Sequence, residues 1–212
     1  FAVAGLLCCL AAFPLACVAQ DLDEVTLFET AGEGREVLLM QGTINSDTPD
    51  QLNAILRAEP QIRTIVLLQC LGSSDDEANF PMARGVRDRG LNTHLTADSE
   101  IYSGCVDFFL AGNMRSMEPG ARIGVHSWYD DDDEMDGVDY PRDAPDHELN
   151  RRYVEDMLGT DAFYWFTLEA APADGMHEIN DQPGIAESDF TSAALFGGEQ
   201  SFFKALHGKG DA

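Results

Sequence analysis

Basic side chains are scarce in this sequence: 13 Lys and Arg stand against 38 Asp and Glu, a formal net charge of -25. A surface of that sign repels phosphate backbones and anionic lipid, which argues against nucleic-acid binding and says nothing of fold. Long apolar runs are also scarce. Residues 1–19 carry no charge, and no later stretch is apolar over the length of a bilayer span. Cysteine is sparse outside that opening stretch, which holds Cys8, Cys9 and Cys17 and leaves only Cys70 and Cys105 beyond it. No internal repeat is present, and no linker rich in Gly, Ser or Pro divides the chain. What is there is 44% hydrophobic residues including twelve Phe, enough for one compact domain with a buried core.

The uncharged run ends in Cys17-Val-Ala19, with Pro14 close before it and Asp21 as the first charge. Small residues after an apolar core read as a signal peptide over 1–19, cleaved after Ala19, with an uncleaved membrane anchor as the rival reading. The expected mature unit is then a single domain over 20–212 in a periplasmic or extracellular setting. In an oxidising compartment an even cysteine pair is a disulfide candidate, and two buried thiols are the alternative.

Strand and helix signals alternate along that unit. Val25–Phe28 and Glu36–Gly42 are β-type runs around the turn-prone Ala31-Gly-Glu-Gly34. Thr48-Pro-Asp-Gln51 has a Thr cap, Pro at the first helical position and Gln three residues on, a helix start. Leu52, Ile55 and Leu56 follow as its apolar stripe. Thr64–Leu68 is a continuous branched run, as in a strand buried on both faces, and Gln69–Ser74 reads as a loop. A helix over 77–89, a strand over 91–96, an apolar helix after Ser103, a strand over 121–126 and two helices over 147–158 and 161–170 complete the pattern. That alternation predicts an α/β fold with a mostly parallel sheet flanked by helices.

In such sheets active groups gather at the carboxyl ends of strands. Ser103 sits there in Tyr102-Ser-Gly-Cys105, before an apolar helix, where the N–H of Gly104 can face an oxyanion. A serine nucleophile needs a base, and His126 closes another strand. Taken singly, such a Ser is a helix cap and such a His a structural residue; their order and spacing give them weight. The acidic run Asp130–Gly137 places Asp132, Glu134 and Asp136 near calcium-loop spacing. Position three is wrong and Asp143 replaces the long bidentate Glu, so the run reads as a solvated loop and no metal is expected. His147 and His177 read as surface or capping residues, and Phe163–Leu168 as an aromatic patch on the core or on another subunit.

The segment Ile65–Trp128 resembles the core of the Clp protease proteolytic subunit, and more closely a group of exported Clp-protease-like proteins. Leu68-Gln-Cys-Leu-Gly-Ser73 resembles that family's strand followed by Ser-Pro-Gly-Gly. Tyr102-Ser-Gly-Cys105 resembles its nucleophile turn, Ala111-Gly112 its Ala-Gly, and Arg122-Ile-Gly-Val-His126 its short strand ending in His. The resemblance implies the ClpP/crotonase-like spiral of β-β-α units, Ser103 as nucleophile, His126 as general base, and the N–H groups of Gly72 and Gly104 as the oxyanion hole. It implies a downstream Asp as the third member: Asp174 first, with Asp181 and Glu169 as rivals. In that fold the segments carrying Cys70 and Cys105 are neighbours, so a disulfide between them braces the catalytic turn or distorts it.

The sequence departs from the family at Ser73, where a second Gly is usual, and at Cys70, where Ser is usual. A side chain at Ser73 bears on the N–H geometry. Three functions follow: an exported serine hydrolase acting on a peptide or small acyl substrate, an inactive relative used for binding or assembly, and a crotonase-like acyl-CoA enzyme. The last lacks a basic cluster for the CoA phosphates. No cofactor is expected and no ATPase partner is evident. By resemblance the chain forms a homo-oligomer.

Overall fold

A computed structural model describes residues 24–118 and 120–179. The proposed leader over 1–19 and Asp181 lie outside the described residues.

The chain opens with β1 (Thr26–Ala31) and β2 (Val37–Ile44), an antiparallel pair. Helix α1 (Thr48–Ala58) then crosses to β3 (Thr64–Ser73), parallel to β2. Thr48 lies one residue inside α1, after Asp47 at the cap. Its hydroxyl is 2.7 Å from the Thr26 hydroxyl and thereby ties the helix start to β1. Helix α2 (Asp76–Asp88) leads to β4 (Asn92–Tyr102), parallel to β3. The Asp75 side chain caps α2 by accepting the Ala78 N–H. After β4 come α3 (Gly104–Leu110), β5 (Arg115–Met117) and β6 (Arg122–Val125), and both β5 and β6 run parallel to β4.

The acidic segment closes as a small hairpin of β7 (Tyr129–Asp130) and β8 (Met135–Asp136). Helices α4 (Glu148–Leu158) and α5 (Ala162–Ala170) follow, and β9 (His177–Glu178) pairs antiparallel with β6. The main sheet runs β1-β2-β3-β4-β6-β9, with β5 also on β4. It is parallel through its middle and antiparallel at both edges, and helices flank it, as the alternation of signals predicts.

The packing follows the residue types. Ile65 and Leu67 of β3, Leu95 and Ile101 of β4, and Phe108 and Phe109 of α3 are all buried. Helix α3 reads Gly-Cys-Val-Asp-Phe-Phe-Leu and is apolar around most of its circumference, as a helix enclosed by the core must be. In α5, Phe163, Tyr164 and Leu168 face inward, which places the aromatic patch on the core.

The stretch Gln69–Ser73 is a correction to the sequence reading: it is strand, not loop. The register slips between Leu67 and Gln69 on the β4 side and around Gly42 on the β2 side, so pairing resumes beyond each irregularity. The extension carries β3 up to the turn that holds Ser103.

Candidate active site

Ser103 stands at the junction of β4 and α3 with φ 51° and ψ -129°, a conformation that side-chain-bearing residues rarely adopt. Such a backbone costs on the order of 1–3 kcal/mol and persists only where its surroundings impose it. Here the Ser103 N–H donates to the Gly124 carbonyl of β6 at 3.0 Å, and the Ser103 carbonyl accepts the Val106 N–H at 2.8 Å. The turn is therefore clamped on one side by the sheet and on the other by the helix it starts.

Two glycines make room for it. Gly72 has φ +147°, and a Cβ there would lie 3.5 Å from the Ser103 Cβ and 4.0 Å from its Oγ. Gly104 lies against the end of β3: a Cβ on it would come 2.3 Å from the Ser73 Cβ and 3.1 Å from the Ser73 nitrogen. The departure from a second Gly at Ser73 is thus accommodated by the absence of a side chain at Gly104. Asn79 of α2, fully buried, donates to the Gly104 carbonyl at 2.8 Å and orients that peptide. The sequence reading missed Asn79, although a polar residue in the apolar stripe of α2 is the kind of signal that marks a buried hydrogen bond.

Cys70 and Cys105 are joined as a disulfide with Cα atoms 5.8 Å apart. The bond ties the end of β3 to the first turn of α3, on either side of the Gly72–Ser103 contact.

His126 follows β6 directly. Its Nδ1 lies 2.7 Å from the Ser127 carbonyl oxygen. A carbonyl only accepts, so Nδ1 carries the proton and Nε2 of the neutral ring holds its lone pair free for a base's work. Ser127, which is buried, is held by the Ala171 carbonyl through its N–H, and its own hydroxyl donates to the Trp128 carbonyl.

Ser103, Gly104 and His126 line one cavity, whose empty space including its mouth is about 510 Å³. Among the described residues no hydrogen bond joins the Ser103 hydroxyl to His126, and no carboxylate bonds the imidazole. Asp174 sits exposed in the turn between α5 and β9, outside the cavity lining. Glu169 is exposed and paired with Arg142 at 2.7 Å.

The carboxyls that do reach the cavity are Asp76, at the start of α2, and Asp107 of α3. Burial raises both above the usual carboxylate range. For Asp107 the shift is large, and the negative charge of Asp76 adds to it. Asp76 accepts from Asn150 at 3.3 Å, whereas the Asp107 carboxyl has no hydrogen-bond partner among the described residues. The other end of the cavity is aromatic. Tyr164 accepts the Trp128 indole N–H at 2.9 Å and lies 2.6 Å from His147 Nδ1, and burial pushes its hydroxyl up to about 12.

His147 corrects the expectation of a surface residue: it is 1% exposed and ringed by Trp128, Tyr140, Tyr164 and Trp165. A short 3₁₀ turn over Pro145–His147 folds the imidazole under α5. His177 is half-buried in β9 against Phe166.

No known protein family matches the sequence, and no curated protein does. Solved structures similar to this chain include a membrane-bound stomatin-specific protease in complex with a substrate peptide, at 13% identity over 59% of this chain and 63% of that one, TM-score 0.43. An enoyl-CoA hydratase from Polaromonas is similar at 14% identity over 46% and 50%, TM-score 0.33. A Pseudomonas aeruginosa protein is similar at 16% identity over 72% and 71%, TM-score 0.44. The chain thus spans less than two thirds of the length of the first two. Likeness of this degree assigns neither family nor activity.

Proposed function

We propose that this chain is an exported serine hydrolase of the ClpP/crotonase-like superfamily, acting on a peptide or small acyl substrate. The observation that carries the reading is the positive φ of Ser103 in a cavity it shares with His126. A serine held so at the end of a parallel strand is presented, rather than packed, and the backbone strain needs a use. The family resemblance of the Ile65–Trp128 motifs supports the same roles.

In this mechanism His126 Nε2 takes the Ser103 proton as Oγ attacks the substrate carbonyl. The Gly72 and Gly104 N–H groups donate hydrogen bonds to the developing oxyanion. The tetrahedral adduct collapses to an acyl-enzyme as His126 returns the proton to the leaving group. Water, deprotonated by the same imidazole, then releases the acid. The Ser127 carbonyl supplies what a third acid supplies in part: it fixes the tautomer, though with a dipole instead of a full charge. Asp174 therefore has no step in this scheme. Export through the leader over 1–19 and assembly into a homo-oligomer belong to the same reading.

A binding or assembly protein is the second reading, favoured by the missing hydrogen bond between Ser103 and His126. The two are separated by treating the purified chain with a fluorophosphonate probe beside Ser103→Ala and His126→Ala. Labelling of the parent, absent from both variants, supports the hydrolase. A folded parent that does not label, oxidised or reduced, leaves the binding protein.

A further inference from the structure

The geometry points to a substrate class for this cavity: a cationic side chain, lysine or arginine, with its charged end against Asp76 and Asp107. The inference rests on the hydrolase reading for the place of Ser103, and on the cavity alone for the recognition.

Asp107 lies four residues beyond Ser103 on α3, one helical turn or about 6 Å along the axis. A side chain of the acyl residue attacked by Ser103 has to extend along that turn to reach a carboxyl, and a stem of three or four methylenes is suited to it. Val106, Val125, Val154 and Phe163 line the same cavity and provide apolar contact for such a stem.

The charge pattern then selects the end group. Two carboxyls face one cavity, and among the described residues neither has a cationic partner. The nearby cations are engaged elsewhere: Arg87 donates to the Leu110 and Ala111 carbonyls, Arg115 to the Leu110 carbonyl, and Arg84 pairs with Asp156. Asp107 in particular is half-buried at the cavity with no hydrogen-bond partner for its carboxyl among the described residues, so its charge is left to the cavity's occupant and to solvent. A guanidinium or ammonium group supplies donors to both carboxyls and offsets their repulsion. An apolar or acidic side chain supplies no donor in its place, so the site discriminates against these by the penalty as well as by the attraction.

The test separates recognition from chemistry. Binding of N-acetyl-lysine methylamide and of N-acetyl-norleucine methylamide, which differ at the ammonium group, is measured by NMR titration on the Ser103→Ala chain. The same titrations are run with Asp76→Asn or Asp107→Asn added, each variant first checked for folding by circular dichroism. The inference expects the lysine compound to bind about tenfold tighter or more, with the preference lost in both Asn variants. Equal or absent binding overturns it. So does a preference that survives both variants, since that is attraction to the acidic surface at large. Fluorophosphonate labelling of the parent reports separately on the hydrolase, so either reading can fail without the other.

Discussion

Gly104 and Ser73 meet so closely that a methyl group on Gly104 would stand 2.3 Å from the Ser73 Cβ. The constraint is steric, since Gly104 has no positive φ. Gly104→Ala is expected to cost about 1–3 kcal/mol, the usual penalty of overpacking. It also shifts the peptide proposed to donate to the oxyanion, so probe labelling is expected to fall with it. Adding Ser73→Gly to the same chain removes the nearest clash and is expected to restore part of the loss. Urea unfolding of the two single variants and the double variant measures the coupling, and strictly additive effects would rule the contact out.

The strained turn makes a second prediction. Glycine adopts φ near 51° freely and alanine does not, so Ser103→Gly is expected to be more stable than Ser103→Ala by about 1 kcal/mol. Both variants lose the hydroxyl, so neither labels. Equal melting temperatures for the two would show that the backbone is not held where the structure has it.

The Cys70–Cys105 bond closes a loop of sequence separation 35. On the chain-entropy account its removal costs about 3–4 kcal/mol. Unfolding of the parent with and without reductant, and of the Cys70→Ser/Cys105→Ser double variant, is expected to show a loss of that order. Because the bond joins the strand beneath Gly72 to the helix after Ser103, reduction is expected to lower labelling before it unfolds the chain.

Asp107 sets a pH dependence. Its folded-state carboxyl is raised by burial and then by Asp76, so folding takes up a proton between the ordinary Asp range and the raised value. Stability is therefore undiminished below the ordinary range and falls as pH rises through that window. Asp107→Asn removes the penalty. The variant is expected to gain little over the parent at pH 4 and about 1 kcal/mol at pH 8, the low end for an unpartnered polar group because the side chain keeps some solvent contact. Chemical denaturation at the two pH values checks the sign, and a gain that is the same at both would contradict the assignment.

The regular elements were readable because their signals are local. Thr64–Leu68 is a branched apolar run, the 77–89 helix ends at Gly90, and both late helices fall within a residue or so of where their spacing places them. That Ser103 and His126 follow strand ends was readable from the apolar runs before them, and the structure brings the two to one cavity. The continuation of β3 through Ser73 was not, because register irregularities on both neighbouring strands carry it past the end of its apolar run. The pairing of Ser127 with His126 was equally out of reach, because a backbone carbonyl leaves no mark in side-chain pattern. Asp76 and Asp107 are ordinary acids among 38, and only the packing of α2 against α3 brings them to one cavity.

The central claim is that Ser103 is a nucleophile served by His126, and its most direct measurement is the site of the fluorophosphonate adduct. The labelled chain is digested and its peptides are mapped by mass spectrometry, for the parent and for His126→Ala. The account predicts a single adduct on Ser103 in the parent and none in the variant. An adduct on another residue, or one on Ser103 that forms equally fast without His126, would contradict it.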